Sequence, residues 1–390
     1  MRILCNCAPV HLGGGVGRYV SNLFAHMAQL AGDWSFVVAA KSDVGAEILP
    51  ADPRFSLLEI PRTAARSPAV RVAWEQTRLA ALARRMRPDV IFCPGNVDLL
   101  LASGAGLPSV VTVNVSQPWV RPQEFPRAAG LYLRVFVSLS RLTATTFIAP
   151  TETTRQELMH AVDIPPERIV AIPHGVDISR FRPARPGDEL SAWAVAQGIR
   201  QPYIFSLSSI YRWKNFDTLL RAFAASAAPR QGVQLVIAGW PLDAQVDREL
   251  RQLSALLGVS GSVALTAGVP EQEVAALYRT ARAYVFPSFF EGFGLTQIEA
   301  MASGIPLALS RASVMPEVGG DAAIYFDPED AQDMAAAIER VLWDEPLRER
   351  LIEAGLERAP QFSWRETARR TMDVLAAAAG SRRGRRGPGK

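Results

Sequence analysis

Two glutamates, Glu291 and Glu299, stand at either end of seven residues in "FEGFGLTQIEAMASGIP" (290–306), with Gly292 and Gly294 beside the first. The preceding "AYVFPS" reads as a strand and "LTQIEAMAS" as a helix that Gly304 and Pro306 end. Gly294, Leu295 and Thr296 then lie at a helix start, where backbone amides lack intrahelical partners and the helix dipole favours an anion. Glu291 sits on the loop, within reach of a sugar hydroxyl or a developing positive charge. Glu299 falls about one turn inside the helix, placed to accept hydrogen bonds from ribose hydroxyls. A single glutamate here would be a cap or a dipole partner; two of them bracketing an amide-rich turn ask for a ligand.

A second group points the same way. In "SLSSIYRWKNFDTLLRAF" (206–223), Arg212 and Lys214 fall in a loop after a strand and before a helix, a cation pair suited to a diphosphate. A lone lysine in a loop is more commonly just solvated. Nearer the N-terminus, "HLGGGVGRYVSNL" (11–23) sets glycines 13, 14, 15 and 17 at a strand-to-helix turn, where bare backbone can approach a ligand. The spacing is not G-x-G-x-x-G, and tight packing explains such glycines equally well.

The elements that must position these residues repeat one grammar. "RILCNCA", "WSFVVAA", "DVIFC", "SVVTV" and "TTFIA" read as buried strands, with helices between them such as the one opening at Ser67-Pro68. After residue 200 the pattern restarts with "YIFSLS", "VQLVIAG", "SVALTAG", "AYVFPS", "IPLALS" and "AAIYF". Such alternation predicts parallel sheets with helices on both faces, and ligands at the strands' C-terminal ends. The break falls in the Pro-, Gly- and charge-rich stretch 174–190. The expected division is an N-terminal domain over 1–180 and a C-terminal domain over 181–361, with a basic, disordered tail at 381–390.

Composition bounds the rest. At 390 residues the chain exceeds one compact core, and 49% apolar with 21% charged residues describes a globular protein. Cys5, Cys7 and Cys93 can form neither a disulfide framework nor a zinc site, and read as buried thiols in a reducing cytoplasm. No 18-residue apolar run is present, and no signal-peptide core follows Met1. Residues 1–183 carry 19 Lys/Arg against 14 Asp/Glu, residues 184–380 carry 18 against 24, and the last ten add five cations. The basic first half invites an anionic partner. The Arg-rich helix 68–87 and the Trp- and Arg-bearing "VSQPWVRPQEFPR" (115–127) are the expected contacts with anionic inner-leaflet lipid. Nucleic acid is not expected, because no aromatic platform interleaves the basic residues.

The stretch 290–306 resembles the E-x(7)-E signature of the retaining nucleotide-sugar glycosyltransferases of family 4, which have the GT-B fold. "TETTRQELMHAVDIPPERIVAIPHGVDISRF" (151–181), "YRWKN", "VIAGW" and "PEVGGDAAIYFDPED" resemble the family in the same order, covering nearly the whole chain. The resemblance implies an α/β protein of two doubly wound Rossmann-like domains facing across a cleft, with a last helix over 362–380 crossing back to the first domain. It places Arg212 and Lys214 on the donor diphosphate and Glu299 on the ribose. Glu291 faces the donor sugar, with Gly294, Leu295 and Thr296 near sugar and phosphate and Val269 beside the base. Gly14 and Gly15 close over the donor from the first domain. It implies transfer from a nucleoside diphosphate with retention, cationic side chains replacing a metal and no cofactor. The C-terminal stretch most resembles mannosyltransferases, which favours GDP-mannose as the donor, with UDP- and dTDP-sugars left open, and a glycolipid or polysaccharide as the acceptor.

Family members often carry His-Asp after the strand equivalent to "VVTV"; this chain has Asn114 and Val115. Asparagine can bond a sugar hydroxyl but cannot carry a proton. Asn114 is therefore expected at the catalytic position as a hydrogen-bonding group. A catalytically silent nucleotide-sugar binder is the alternative. A dinucleotide-dependent oxidoreductase, suggested by "GGGVG" and Asp43, does not explain the residues of the second half. The four histidines, His11, His26, His160 and His174, read as structural.

Overall fold

The computed structural model describes residues 1–12, 14–240 and 244–385, so the expectations for Gly13 and for the end of the tail lie outside the described residues. The chain divides into two compact units, Met1–Gly175 with the segment from Trp364 onward, and Val176–Ser363.

The first unit is built on seven parallel strands: β1 (Arg2–Asn6), β2 (Ser35–Ala40), β3 (Phe55–Glu59), β4 (Val90–Cys93), β5 (Ser109–Thr112), β6 (Thr146–Ala149) and β7 (Ile169–Ala171). Their order is β3-β2-β1-β4-β5-β6-β7, so the strand order reverses between β1 and β4. Strands such as β4 and β5 are buried along their whole length, as expected when helices cover both faces. β3 is an edge strand in which Phe55 alone is buried, and without a clear alternating pattern it is hidden from the sequence. The helix Trp364–Arg385 packs on this unit, against the helix Gly15–Leu30 and against β4 and β5. It carries residues 381–385 of the expected disordered tail in helical backbone.

The second unit holds six parallel strands: β8 (Tyr203–Leu207), β9 (Gln234–Gly239), β10 (Val263–Ala267), β11 (Ala283–Phe286), β12 (Leu307–Ser310) and β13 (Ala323–Phe326), in the order β10-β9-β8-β11-β12-β13. Here the order reverses between β8 and β11. Side chains alternate across the sheet: Tyr203 and Phe205 join Tyr278, Tyr284 and Phe286 on one face. Ile204 joins Leu219, Phe223 and Met334 on the other. Each unit is thus a doubly wound Rossmann-like domain, as the strand–helix alternation predicts.

Two surface stretches carry packing that the sequence does not show. In the helical stretch 68–87, Arg71 is buried and its Nε lies 2.9 Å from Glu75 Oε1, so this arginine faces the fold, while Arg78, Arg84, Arg85 and Arg87 are exposed. The stretch 115–127 is not an open loop. It folds into short helical turns at Gln117–Val120 and Pro122–Glu124, with Trp119 packed on the apolar core and Arg121 paired to Glu124 at 2.7 Å.

Candidate active site

The second unit's sheet reversal brings two loops together, Ser208–Asn215 after β8 and Pro287–Gly294 after β11. Ligands of doubly wound domains bind at this kind of crevice. The loops are joined by backbone, Phe289 N–H donating to Trp213 C=O at 3.0 Å. They are also joined by charge: Lys214 Nζ donates to Glu291 Oε1 in a short, part-buried ion pair. Asn215 anchors the base of the first loop. Its backbone is left-handed, φ 59°, and its buried Nδ2 donates to Pro287 C=O at 3.1 Å and Pro328 C=O at 2.7 Å. One residue thus ties the ends of β8, β11 and β13. The sequence signal for it was only an asparagine at a helix start, where a left-handed backbone is tolerated.

The helix Leu295–Ala302 begins in this crevice. Gly294 at its N-cap has φ 81°, and a Cβ there would lie 2.5 Å from Gln297 Nε2, so this turn requires glycine. No side chain caps the helix and its first turn contains no acid, which leaves the amides of Leu295 and Thr296 directed at the loop space. Ser313 Oγ, on the loop after β12, donates to Glu291 C=O at 2.9 Å and holds the glutamate's backbone. One turn into the helix Glu299 is buried, with the Tyr278 hydroxyl 3.3 Å from its Oε2 and 3.1 Å from Thr296 C=O. Arg212, at the rim, pairs with Glu249 at 3.0 Å and is largely exposed. The rings of Tyr211 and Trp213 on either side of it stack at 4.1 Å.

Val269 follows β10 and packs on the core from a half-buried position. Beside it stands a residue to which the sequence reading gave no role. Trp240, at the end of β9, is more than half exposed, and its ring lies against Gly268, where a Cβ would meet it at 2.9 Å. A bare indole on a strand-end loop is a stacking surface for a planar ring. Its sequence signal was the Gly-Trp that ends an apolar strand.

The first unit holds the remaining residues at its own strand ends. Gly14 is the N-cap of the helix Gly15–Leu30, whose first turn has neither acid nor side-chain cap. A Cβ on Gly14 or Gly15 would meet nothing within 4 Å, whereas one on Gly17 would lie 2.6 Å from His11 C=O. Gly17 is the packing glycine, and Gly14 and Gly15 face open space. Asn114 is only partly satisfied: Nδ2 donates to Pro94 C=O at 2.8 Å and its backbone N–H donates to Asn96 Oδ1 at 2.7 Å, while its buried Oδ1 has no hydrogen-bond partner among the described residues. Nearby, Asn6 Nδ2 donates to Glu75 Oε2 at 3.0 Å, completing a buried Asn6–Glu75–Arg71 cluster on a π-helical turn. Burial raises the Glu75 carboxyl above its ordinary range. His174 clusters with the rings of Tyr19, at 4.4 Å, and Trp364, at 5.8 Å, which lie 6.4 Å from each other, and burial holds the His174 ring down at about 3. His11 is lowered by partial burial and then by Lys41 and Arg71.

Comparison with known proteins accords with this geometry. The profile described as Glycosyl transferases group 1 matches residues 193–358, and that of Glycosyltransferase Family 4 matches residues 13–180. The MMP alpha-(1->4)-mannosyltransferase of Mycolicibacterium hassiacum is 30% identical over 72% of this chain and 68% of its own length. This chain belongs to glycosyltransferase family 4. Another relative in the family, the O-antigen chain mannosyltransferase B of Escherichia coli, is 30% identical over 65% of this chain and 66% of its own length. For several other curated family relatives the match spans little more than half of their length. Among solved structures, Anabaena HepE in complex with UDP and glucose superposes with a TM-score of 0.77 at 18% identity, covering 97% of this chain and all of that one. The fold is therefore that of the GT-B glycosyltransferases.

Proposed function

We propose that the chain is a retaining glycosyltransferase that moves mannose from GDP-mannose to a glycolipid or growing polysaccharide acceptor of a bacterial surface polymer, without a metal. The observation that carries this reading is the Lys214–Glu291 pair bridging two loops at the sheet reversal, beside an uncapped helix start. The mannosyltransferase names of two relatives favour the sugar.

In this reading the diphosphate takes Lys214, Arg212 and the amides of Leu295 and Thr296. All four stabilise charge that grows as the bond from the sugar's anomeric carbon to the phosphate oxygen breaks. Lys214 lets the Glu291 carboxylate sit beside that anion, where it accepts from sugar hydroxyls and offsets positive charge on the ring. Glu299 holds the ribose and Trp240 stacks on the base. The acceptor hydroxyl attacks from the face the diphosphate leaves, its proton passes to the departing phosphate, and configuration is retained.

A second reading, a nucleotide-sugar binder without turnover, is favoured by Asn114, whose amide nitrogen already donates to Pro94. Thermal stabilisation by GDP-, UDP-, ADP- and dTDP-sugars tests the donor site, with Lys214→Ala and Glu299→Ala in parallel. GDP-mannose should raise the midpoint of the wild type and of neither variant. If no nucleotide sugar shifts the folded wild type, the donor reading is wrong. Release of GDP in the presence of acceptor separates transferase from binder.

A further inference from the structure

The helix Arg127–Thr143 has one apolar face too many. Gly130, Leu133, Val137 and Ser140 are buried against the first unit. At 3.6 residues per turn, Leu131, Val135, Leu139 and Leu142 fall on the opposite side. They are 58%, 44%, 42% and 69% exposed. A helix on the surface of a domain needs one apolar stripe, and four large aliphatic side chains in solvent on the other need a cover. The helices Leu100–Ser103 and Gln117–Val120 pack against this one and add exposed Leu101 and Val120.

Charge says what the cover is. Arg127, Arg134 and Arg141 recur every seven residues and line one edge of the exposed stripe. No aspartate or glutamate occurs between Glu124 and Glu152. Asp163, from another segment, reaches Arg141 alone of the three. A second copy of the chain would bury its stripe beside two such arginine rows with no carboxylate on the helix to neutralise them. An anionic bilayer surface fits both features, because aliphatic side chains enter the acyl boundary while flanking arginines extend to lipid phosphates. No described helix is long and apolar enough to cross a membrane, so the contact is parallel to the surface.

We infer that the helix Arg127–Thr143 is a docking surface for anionic lipid, its Leu131–Leu142 face dipping into the interface and its arginine row contacting phosphate headgroups. This assigns the lipid contact to a helix other than the Arg-rich stretch 68–87. It rests on this helix alone and is independent of the donor site.

The test is co-sedimentation of the full chain with vesicles of phosphatidylglycerol and phosphatidylcholine in equal parts, and with phosphatidylcholine alone. The wild type should bind the mixed vesicles, weakening as salt rises, and bind pure phosphatidylcholine far less. The double variant Leu131→Glu/Leu139→Glu should lose more than tenfold of that binding, and Arg134→Glu at least about fivefold. All of these residues are exposed, so unchanged melting midpoints and unchanged stabilisation by GDP-mannose should accompany the loss. Undiminished binding by the double variant, or none by the wild type, overturns the inference. So does a wild-type dimer by light scattering that the double variant dissolves, which would make this face a protein interface.

Discussion

The two units are the same architecture put to different use at the same place. Each reverses its strand order beside its first strand and starts a helix there on a glycine, with no side-chain cap and no acid in the first turn. In the second unit the charges at that point lie on loops: Lys214 and Glu291, part-buried at 12% and 14% exposed, meet across two of them, and Arg212 stands in solvent. In the first unit the charges are sealed. Arg71 and Glu75 neutralise each other under Asn6, and Asn114 holds the turn at Pro94. An ion pair held between two loops can exchange partners with an anion, while one locked on a helix under the core can only hold structure. The difference therefore teaches where a small anionic ligand belongs.

Experiments can break or sharpen that contrast. The largest effect should come from the sealed cluster. Glu75→Ala leaves Arg71 as an uncompensated buried cation and should cost about 3–5 kcal/mol in urea unfolding. Turnover per folded molecule should stay near that of the wild type. A turnover loss equal to that of a donor-loop variant would erase the distinction between the units. Next, Lys214→Ala or Glu291→Gln should lower kcat on the order of 10²–10³-fold in a transfer assay, with folding stability much less affected.

The glycines offer a smaller contrast within one turn. Gly17→Ala drives a Cβ towards His11 C=O and should cost roughly 1–3 kcal/mol. Gly14→Ala meets nothing and should leave stability within about 0.5 kcal/mol. Equal stability losses would mean that Gly14 is packing glycine too.

The last prediction concerns pH. Because the folded protein keeps His174 neutral down to about 3, the unfolded chain takes up this proton first as pH falls below the ring's ordinary value of 6.5. Stability contributed by this site is thus intact above that value. It should decline by about 1.4 kcal/mol per pH unit below it, levelling near 3. His174→Asn should flatten that slope between pH 6.5 and 5, measured by chemical unfolding at each pH.

Much of this was legible in the sequence, for physical reasons. The buried strands are short runs of β-branched and apolar residues, and their alternation with helices dictates a parallel sheet. That is why eleven apolar runs sufficed for the architecture while edge strand β3, with its exposed side chains, escaped notice. Lys214 and Glu291 were legible because both sit on loops that must follow parallel strands to one sheet edge. What escaped was geometry that depends on partners distant in the chain. Nothing in "RVAWE" tells that Arg71 turns inward to Glu75 and Asn6. Nothing in "VVTVN" tells that Asn114 bonds Pro94 twenty residues earlier. Trp240 and the outer face of Arg127–Thr143 were missed because both are visible only as exposure, a quantity the packed neighbours define.

The return of the chain at Trp364 has a consequence for biosynthesis. The second unit is one uninterrupted segment, but the first is closed by a helix made after it. A ribosome releases Val176–Ser363 as a complete folding unit while the first sheet still lacks the helix that covers β4 and β5 and brings Trp364 to His174. The N-terminal unit, although begun first, must be finished last, and any premature stop before Trp364 would leave a completed second unit attached to an unfinished first.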